Sequence, residues 1–203
     1  MNKIITIARE YGSGGRETGI KLAEKLGIKF YDKEIIALAA EAGGLDADFV
    51  ARHEEEAPAM IGASFSNPSF ASFAYHPSYS DTIYFKQCDI LKEIAAQGPC
   101  VIVGRCADYV LRDYDIVKVF IYSDMSSKIV RKRGLAPEKA DFSDEQMEKE
   151  IEKINKGRRK YYEHYSGNQW GNVSNYDVCV STSELGADGA VEIILKYLEL
   201  LDK

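Results

Sequence analysis

The 203-residue sequence is poor in the residues that build metal centres and disulfide frameworks. Its four cysteines include no Cys-x-x-Cys pair, and its three histidines are scattered among polar neighbours. Closely spaced cysteines and histidines are typical of a zinc site, and regularly spaced cysteines are typical of a disulfide scaffold. The sequence indicates neither kind of site, and we expect each cysteine to fill a small apolar space.

Long apolar runs and an excess of positive charge are also missing. The longest apolar runs have the length of a strand, not the roughly 20 residues of a membrane-spanning helix, and the first residues enter a strand without a signal-peptide pattern. The formal net charge of -6 argues against nonspecific binding to nucleic acid or anionic membranes, although it leaves room for a local basic pocket. The sequence predicts a cytoplasmic protein with no nucleic-acid partner and no membrane partner.

Residues 4–26 read as a buried strand, a glycine-rich turn and an amphipathic helix, and the rest of the chain is organised around them. The turn and the start of the helix read Gly12-Ser13-Gly14-Gly15-Arg16-Glu17-Thr18. Glycines allow backbone N–H groups to point inward at oxygen atoms, and the N-terminus of the helix adds positive potential. We therefore predict that these seven residues bind the phosphates of a nucleotide.

The turn departs from the usual phosphate-binding loop, G-x-x-x-x-G-K-[ST]. With Gly15 on the second glycine, Glu10 occupies the position of the first glycine, Arg16 that of the lysine and Glu17 that of the Ser/Thr. Arg16 can supply the positive charge, but a carboxylate at position 17 does not replace the hydroxyl that holds magnesium without repelling phosphate. Thr18 is the predicted magnesium ligand if the register shifts by one residue.

Four further stretches of strand character follow within residues 27–32, 100–105, 114–122 and 175–186. Helical patterns at residues 33–40, 83–96, 123–134, 145–156 and 188–201 alternate with them. Strands joined through helices form a parallel sheet by the right-handed crossover rule, and ligands then gather at the carboxyl ends of the strands. The sequence predicts one α/β domain over residues 1–203, with three layers around a five-stranded parallel sheet.

Three charged side chains follow the ends of predicted strands and are candidates for binding a substrate. Asp32 ends the second strand, Arg105 follows the third, and Asp108 lies one helical turn after Arg105. Arg105 either binds an anionic ligand or pairs with a carboxylate at the sheet edge. Asp108 either holds Arg105, contacts a substrate hydroxyl, or is an ordinary acid at a helix N-terminus.

The segment from residue 57 to residue 84 is rich in Ser, Pro, Phe and Tyr and has no clear periodicity over most of its length. It is too aromatic for a disordered linker and too irregular for a core element. We interpret it as a flap over the substrate or a contact in a homodimer, and the alternative is a variable surface insertion.

Residues 131–162 carry two basic clusters that bracket a highly charged helical segment. The arginines of these clusters are Arg131, Arg133, Arg158 and Arg159. In an acidic protein such clusters favour a lid that closes on phosphates, where arginine stabilises the charge of a transferring phosphoryl group. The alternative is a solvated helix with ion pairs four residues apart, which accounts for residues 148–156 better than for the arginines.

Taken together, the order and spacing of these motifs resemble the cytidylate kinase-like family of P-loop proteins. The similarity extends over nearly the whole chain and rests on the segments Ala8 to Gly19, Phe30-Tyr31-Asp32, Val103-Gly104-Arg105, Arg131 with Arg133, Arg158-Arg159, and Tyr176-Asp177 with Ser181-Thr182.

The resemblance implies the nucleoside monophosphate kinase fold, with a lid, and it implies ATP and Mg²⁺ as cofactors. The loop from Gly12 to Arg16 would cradle the ATP phosphates, and Arg105 would contact the phosphate of the acceptor. The arginines of residues 131–162 would neutralise the phosphoryl group in transfer, together with Arg16.

Two functions follow as hypotheses. The first is an ATP-dependent phosphotransferase whose partners are a nucleoside triphosphate and a nucleoside monophosphate, cytidylate-like, or a related small phosphate acceptor. The second is a noncatalytic regulatory module that binds a nucleotide or another anion through the altered loop.

Overall fold

The computed structural model describes residues 3–32, 79–136 and 141–203. In this part of the chain the strands are β1 (Ile4–Arg9), β2 (Lys29–Tyr31), β3 (Cys100–Val103), β4 (Ile116–Tyr122) and β5 (Val178–Ser181). The α-helices are α1 (Gly15–Leu26), α2 (Tyr79–Ala96), α3 (Ala107–Val110), α4 (Met125–Leu135), α5 (Asp144–Ser166) and α6 (Gly186–Leu201), and a 3₁₀ turn spans Val173–Asn175.

The five strands form one sheet in the order β2-β3-β1-β4-β5, and all four neighbouring pairs are parallel. The centre of the sheet is strand β1, in which Ile7 pairs with Val103 on one side and Val119 on the other. The predicted five-stranded parallel sheet is therefore confirmed. The order also brings the carboxyl ends of β1, β2 and β3, with the segments that follow them, to one edge of the sheet.

Both faces of the sheet are covered, because successive residues of a strand point to opposite sides. On one face Ile5 and Ile7 pack with Leu22 of α1 and with Ile194 and Leu198 of α6. The other face packs with α2, α3 and α5, and its buried side chains include Ile4, Ala8, Leu91, Leu111 and Tyr162. The predicted three-layer arrangement is confirmed.

Two helices are longer in the structure than the sequence pattern predicts. Helix α2 begins at Tyr79, four residues before the predicted start. Helix α5 is a single helix of 23 residues that includes Gly157 and the second basic cluster, and Ser143 and Gln146 cap its start reciprocally. The predicted helix at residues 33–40 lies outside the described residues. Residues 57–78 of the aromatic segment also lie outside them, and the last six residues of that segment, 79–84, form the start of α2.

No helix within residues 3–32, 79–136 and 141–203 has both the length and the apolar character needed to span a bilayer.

Candidate functional site

A cleft of about 670 Å³ opens at the carboxyl edge of the sheet. Among the described residues that line it, seven are basic and four are acidic, so this described lining is basic in a chain of net charge -6. We call the part formed by residues 10–17 with α4 and α5 the loop end, and the part formed by Arg9, Asp32 and Arg105 the strand end. The charged lining residues are Arg9, Glu10, Arg16, Glu17, Lys21, Glu24, Asp32, Arg105, Arg131, Lys132 and Arg158.

The loop has the backbone geometry that its glycines predict. Gly12 and Gly14 have φ angles of 81° and 77°, in the left-handed region that favours glycine. Gly15 starts α1 against β1, where an added Cβ atom would lie 2.5 Å from the Cβ of Arg9. The first-turn N–H groups of α1 have no acceptor within the helix, and the first-turn residues Gly15, Arg16 and Glu17 all line the cleft. Such a helix start binds anions.

Two of the seven predicted nucleotide-binding residues are buried and form hydrogen bonds with backbone carbonyl groups in or near the loop. The Ser13 hydroxyl donates to the Glu10 carbonyl at 2.8 Å, and the Ser13 carbonyl accepts from the Thr182 hydroxyl at 2.6 Å. The Thr18 hydroxyl donates to the Gly14 carbonyl at 3.1 Å. Both Ser13 and Thr18 are fully buried, and neither lines the cleft. The position of Thr18 therefore gives no support to its predicted role as magnesium ligand.

Arg16, which takes the position of the loop lysine, reaches from the loop end to the strand end. Its Nε donates to Asp32 Oδ2 at 2.8 Å, and 54% of its side chain is exposed. Asp32 is 4% exposed and also lies 3.9 Å from Nη2 of Arg9. One carboxylate thus holds two guanidinium groups, and Arg16 connects the two ends of the cleft.

Glu10, at the position of the first loop glycine, has its charge balanced within the protein. Its Oε2 lies 2.7 Å from Nζ of Lys128 and accepts from the Ser123 N–H at 3.2 Å. Lys128 is buried in α4. Because this pair is formed inside the protein, Glu10 does not add an unbalanced negative charge to the loop end.

Two of the four predicted lid arginines reach the cleft. Arg131 Nη1 donates to the Gly12 carbonyl at 2.8 Å, and Arg158 Nη1 donates to the Arg9 carbonyl at 3.3 Å. Both side chains belong to residues that line the loop end.

The other two predicted lid arginines point elsewhere. Arg133 binds the Asp144 carboxylate at 2.7 Å, and Arg159 lies 5.9 Å from the ring centroid of Trp170. Neither lines the cleft, so the structure places two of the four lid candidates at the cleft and two outside it. Arg158 and Arg159 are adjacent in α5 and differ by about 100° around its axis, and of the two only Arg158 lines the cleft.

At the strand end the predicted substrate residues have different environments. Arg105 is 3% exposed, has a φ of 61° and lines the cleft. Asp108 lies behind it, where its Oδ2 accepts from the Tyr162 hydroxyl at 2.7 Å. Burial raises the pKa of Asp108, and the hydrogen bond from Tyr162 opposes that rise. Asp108 borders a smaller space with Arg105 and Arg158, not the main cleft.

Several cleft residues were not singled out from the sequence. Arg9 ends β1 and passes so close to Gly104 that an added Cβ there would lie 2.1 Å from Nη1 of Arg9. Its signal is the one that identified Arg105, a basic residue at the end of an apolar strand. Lys132 follows Arg131 and lines the cleft with it. Lys128, on the same helix face, does not line the cleft and pairs with Glu10.

The family model for the cytidylate kinase-like family matches residues 4–184. The chain belongs to the cytidylate kinase-like family. The resemblance seen in the sequence is therefore confirmed, and family and fold support a kinase that acts on a nucleotide or another small molecule.

Solved structures match 97% to 99% of the chain. An uncharacterized protein from Eubacterium ventriosum ATCC 27560 is 26% identical, with 97% of this chain and 98% of that chain covered and a TM-score of 0.69. Shikimate kinase from Bacteroides thetaiotaomicron is 13% identical, with coverages of 98% and 99% and a TM-score of 0.57. Shikimate kinase from Acinetobacter baumannii in complex with shikimate is 17% identical, with coverages of 99% and 94% and a TM-score of 0.53.

The two shikimate kinases show the fold alone at these identities. Among proteins with curated descriptions, none matches this member of the cytidylate kinase-like family in sequence.

Proposed function

We propose that this cytidylate kinase-like protein transfers a phosphoryl group from ATP to a nucleoside monophosphate or a related small phosphate acceptor. The observation that carries the proposal is the convergence of three cations from different elements on one glycine-rich loop. Arg16 comes from α1, Arg131 from α4 and Arg158 from α5. Phosphoryl transfer requires positioning and charge stabilisation from a protein more than covalent chemistry.

The loop end is the part of the cleft that suits the triphosphate. The first turn of α1 offers N–H groups to phosphate oxygens, and the helix dipole favours their negative charge. Arg131 and Arg158 now donate to the carbonyl groups of Gly12 and Arg9. A phosphate oxygen is a stronger acceptor for a guanidinium than a neutral carbonyl, so these two side chains would turn to the triphosphate when it binds.

The strand end suits an anionic acceptor. Among the described residues, this end of the cleft is lined by two arginines, Arg9 and Arg105, and by one carboxylate, Asp32. A guanidinium binds phosphate through two parallel hydrogen bonds. A phosphate acceptor is already ionised, so the transfer needs no general base among these residues.

The magnesium that accompanies ATP would be held mostly by the phosphates, because Mg²⁺ takes only one or two protein ligands in such sites. Within the described residues no group of three or more His, Cys, Asp or Glu is arranged to hold a metal ion. Glu17 lines the cleft and pairs with Lys21 at 2.8 Å, whereas the hydroxyl of Thr18 is turned to Gly14. The role of Thr18 as a magnesium ligand stays a prediction, and the direction of its hydroxyl does not support that role.

The altered loop favours one alternative. Arg16 is paired with Asp32 and position 17 carries a carboxylate, so the loop could bind a nucleotide without transferring its phosphate. The protein would then be the noncatalytic nucleotide- or anion-binding module named above.

The test is ADP formation from ATP and Mg²⁺ across a panel of acceptors: the common ribo- and deoxyribonucleoside monophosphates and several phosphorylated sugars. We expect turnover with at least one acceptor and its loss in Arg16→Ala, with turnover kept in Lys160→Ala, an exposed cation on α5. Nucleotide binding without any transfer would favour the noncatalytic module. The absence of both binding and transfer would contradict both functions.

A further inference from the structure

Tyr11, the residue directly before Gly12, lies between cations of the two helices that cover the loop end. Nζ of Lys132, from α4, is 4.3 Å from the centroid of the Tyr11 ring. Cζ of Arg158, from α5, is 5.6 Å from the same centroid. Both distances fall within the range of a cation–π interaction. All three residues line the cleft.

The position of the ring is fixed by its neighbours. The Tyr11 N–H donates to Oδ1 of Asn155 at 2.7 Å, which ties the loop backbone to α5. The side chain packs against the small apolar cluster of Ile129, Met147 and Ile151, which joins α4 to α5. The ring is thus held in place before any ligand arrives.

Helix α4 lies directly on the loop beside this ring. An added Cβ at Gly12 would lie 3.0 Å from the Cβ of Lys128 and 3.2 Å from Cγ of Lys132. The stem of Lys132 therefore passes over Gly12, and its ammonium group reaches the face of Tyr11. A long, flexible lysine loses rotamer freedom when it is held at one place, and the negative face of the ring offsets part of that loss.

We propose that Tyr11 is a positioning residue whose ring holds Lys132 and Arg158 over the loop end, ready for a polyphosphate. This inference rests on the proposed function, since it concerns the phosphate part of the same site. The simpler explanation is that Tyr11 only fills space against α4 and α5. The two explanations differ because packing requires an apolar side chain of suitable size, whereas positioning requires the electron-rich face of an aromatic ring.

The first test measures binding of inorganic tripolyphosphate, and of ATP with Mg²⁺, by calorimetry. We expect Tyr11→Phe to bind within about twofold of the wild-type protein because the ring is kept. We expect Tyr11→Leu to bind about five- to tenfold more weakly while its Tm stays close to that of Tyr11→Phe. Equal binding by the Leu and Phe variants would overturn the inference and leave the proposed function intact.

A double-mutant cycle shows whether the ring acts through the two cations. In a protein that already carries Lys132→Ala and Arg158→Ala, Tyr11→Leu should cause no further loss of tripolyphosphate affinity. The same five- to tenfold loss in that background would assign Tyr11 to packing alone. Failure of the wild-type protein to bind either probe would overturn the proposed function together with the inference.

Fluorinated phenylalanines at position 11 keep the test decisive if Tyr11→Leu does not fold. Successive fluorine atoms weaken the negative face of the ring with little change in its shape. We expect the affinity for tripolyphosphate to fall stepwise from phenylalanine to pentafluorophenylalanine. An affinity that does not change along the series would contradict the proposed role of Tyr11.

Discussion

At the loop end of the cleft, Arg131 and Arg158 donate to backbone carbonyl groups. At the strand end, Asp32 and Arg105 are almost completely buried, and Asp32 holds two guanidinium groups. A guanidinium such as that of Arg131 can exchange a neutral carbonyl for a phosphate at little cost. A buried carboxylate cannot lose its cations without a large desolvation penalty. We infer that the loop end rearranges when a ligand binds, whereas the strand end is already formed.

The largest effect is expected at the preformed strand end. Arg105→Ala should lower kcat/KM for the acceptor by about 100-fold or more, as the loss of one aligned charge-stabilising group commonly does. Steady-state kinetics with a varied acceptor measure this effect, and Lys160→Ala is the matched control. A loss of similar size for both variants, or none for Arg105→Ala in a protein that stays folded, would contradict a preformed anion site.

Alanine substitutions at two glycines, Gly15 and Gly134, test the close packing of the loop against β1. Gly15→Ala brings a Cβ to 2.5 Å from the Cβ of Arg9, and we expect it to lower the free energy of unfolding by about 1–3 kcal/mol and to weaken ATP binding. Gly134→Ala, in α4 with no atom within 4 Å of the added Cβ, should instead stabilise by about 0.5–1 kcal/mol. Thermal unfolding and calorimetry separate the two, and stabilisation by both would disprove the close contact at Gly15.

The third prediction compares two arginines of α4, of which Arg131 lines the cleft and Arg133 does not. Arg131→Ala should weaken ATP binding by about tenfold, which corresponds to one lost charge-assisted hydrogen bond. Arg133→Ala removes an ion pair with Asp144 and a hydrogen bond to the Phe142 carbonyl, both outside the cleft, and should change the affinity by less than about twofold. Equal losses would show that both side chains reach the phosphates and that α4 turns when ATP binds.

The smallest effect concerns Asp108. Because burial raises the pKa of this carboxyl, its ionisation costs stability as pH rises from the unfolded pKa through the folded pKa. Asp108→Asn keeps an oxygen that can accept from Tyr162 and removes the charge. We expect the substitution to raise the free energy of unfolding by about 1 kcal/mol or less at pH 7, and we expect this increase to shrink toward pH 4. Denaturant unfolding at both pH values measures this difference. A stabilisation that grows at lower pH would contradict the conclusion that ionised Asp108 destabilises the fold.

The fold was predictable because its signals are local. The central strands β1, β3 and β4 are rich in Ile and Val, and Gly27 ends α1 in a left-handed conformation, as its sequence position predicts. Strand ends also identified Asp32 and Arg105, because the carboxyl ends of parallel strands share one edge. Composition and order therefore sufficed for the sheet and for two of the three residues that define the strand end, since Arg9 was missed.

The loop end was harder to predict because it depends on the rotation of helices around their axes. Arg158 and Arg159 are equivalent in the sequence, and only the packing of α5 turns Arg158 to the cleft. Thr18 is one residue from the usual hydroxyl position, yet that step turns it into the core. The contacts of Tyr11 join residues more than 100 positions apart, which a sequence pattern does not show.

The most direct measurement is a crystal structure of the protein with a nonhydrolysable ATP analogue and Mg²⁺. We predict that the β- and γ-phosphates lie against the N–H groups of residues 14–17, with Arg131 and Arg158 moved from the carbonyl groups of Gly12 and Arg9 onto phosphate oxygens. The pair between Asp32 and Arg9 should keep its place. A nucleotide bound away from the glycine-rich loop, or both arginines still on the carbonyl groups beside a bound triphosphate, would contradict this account.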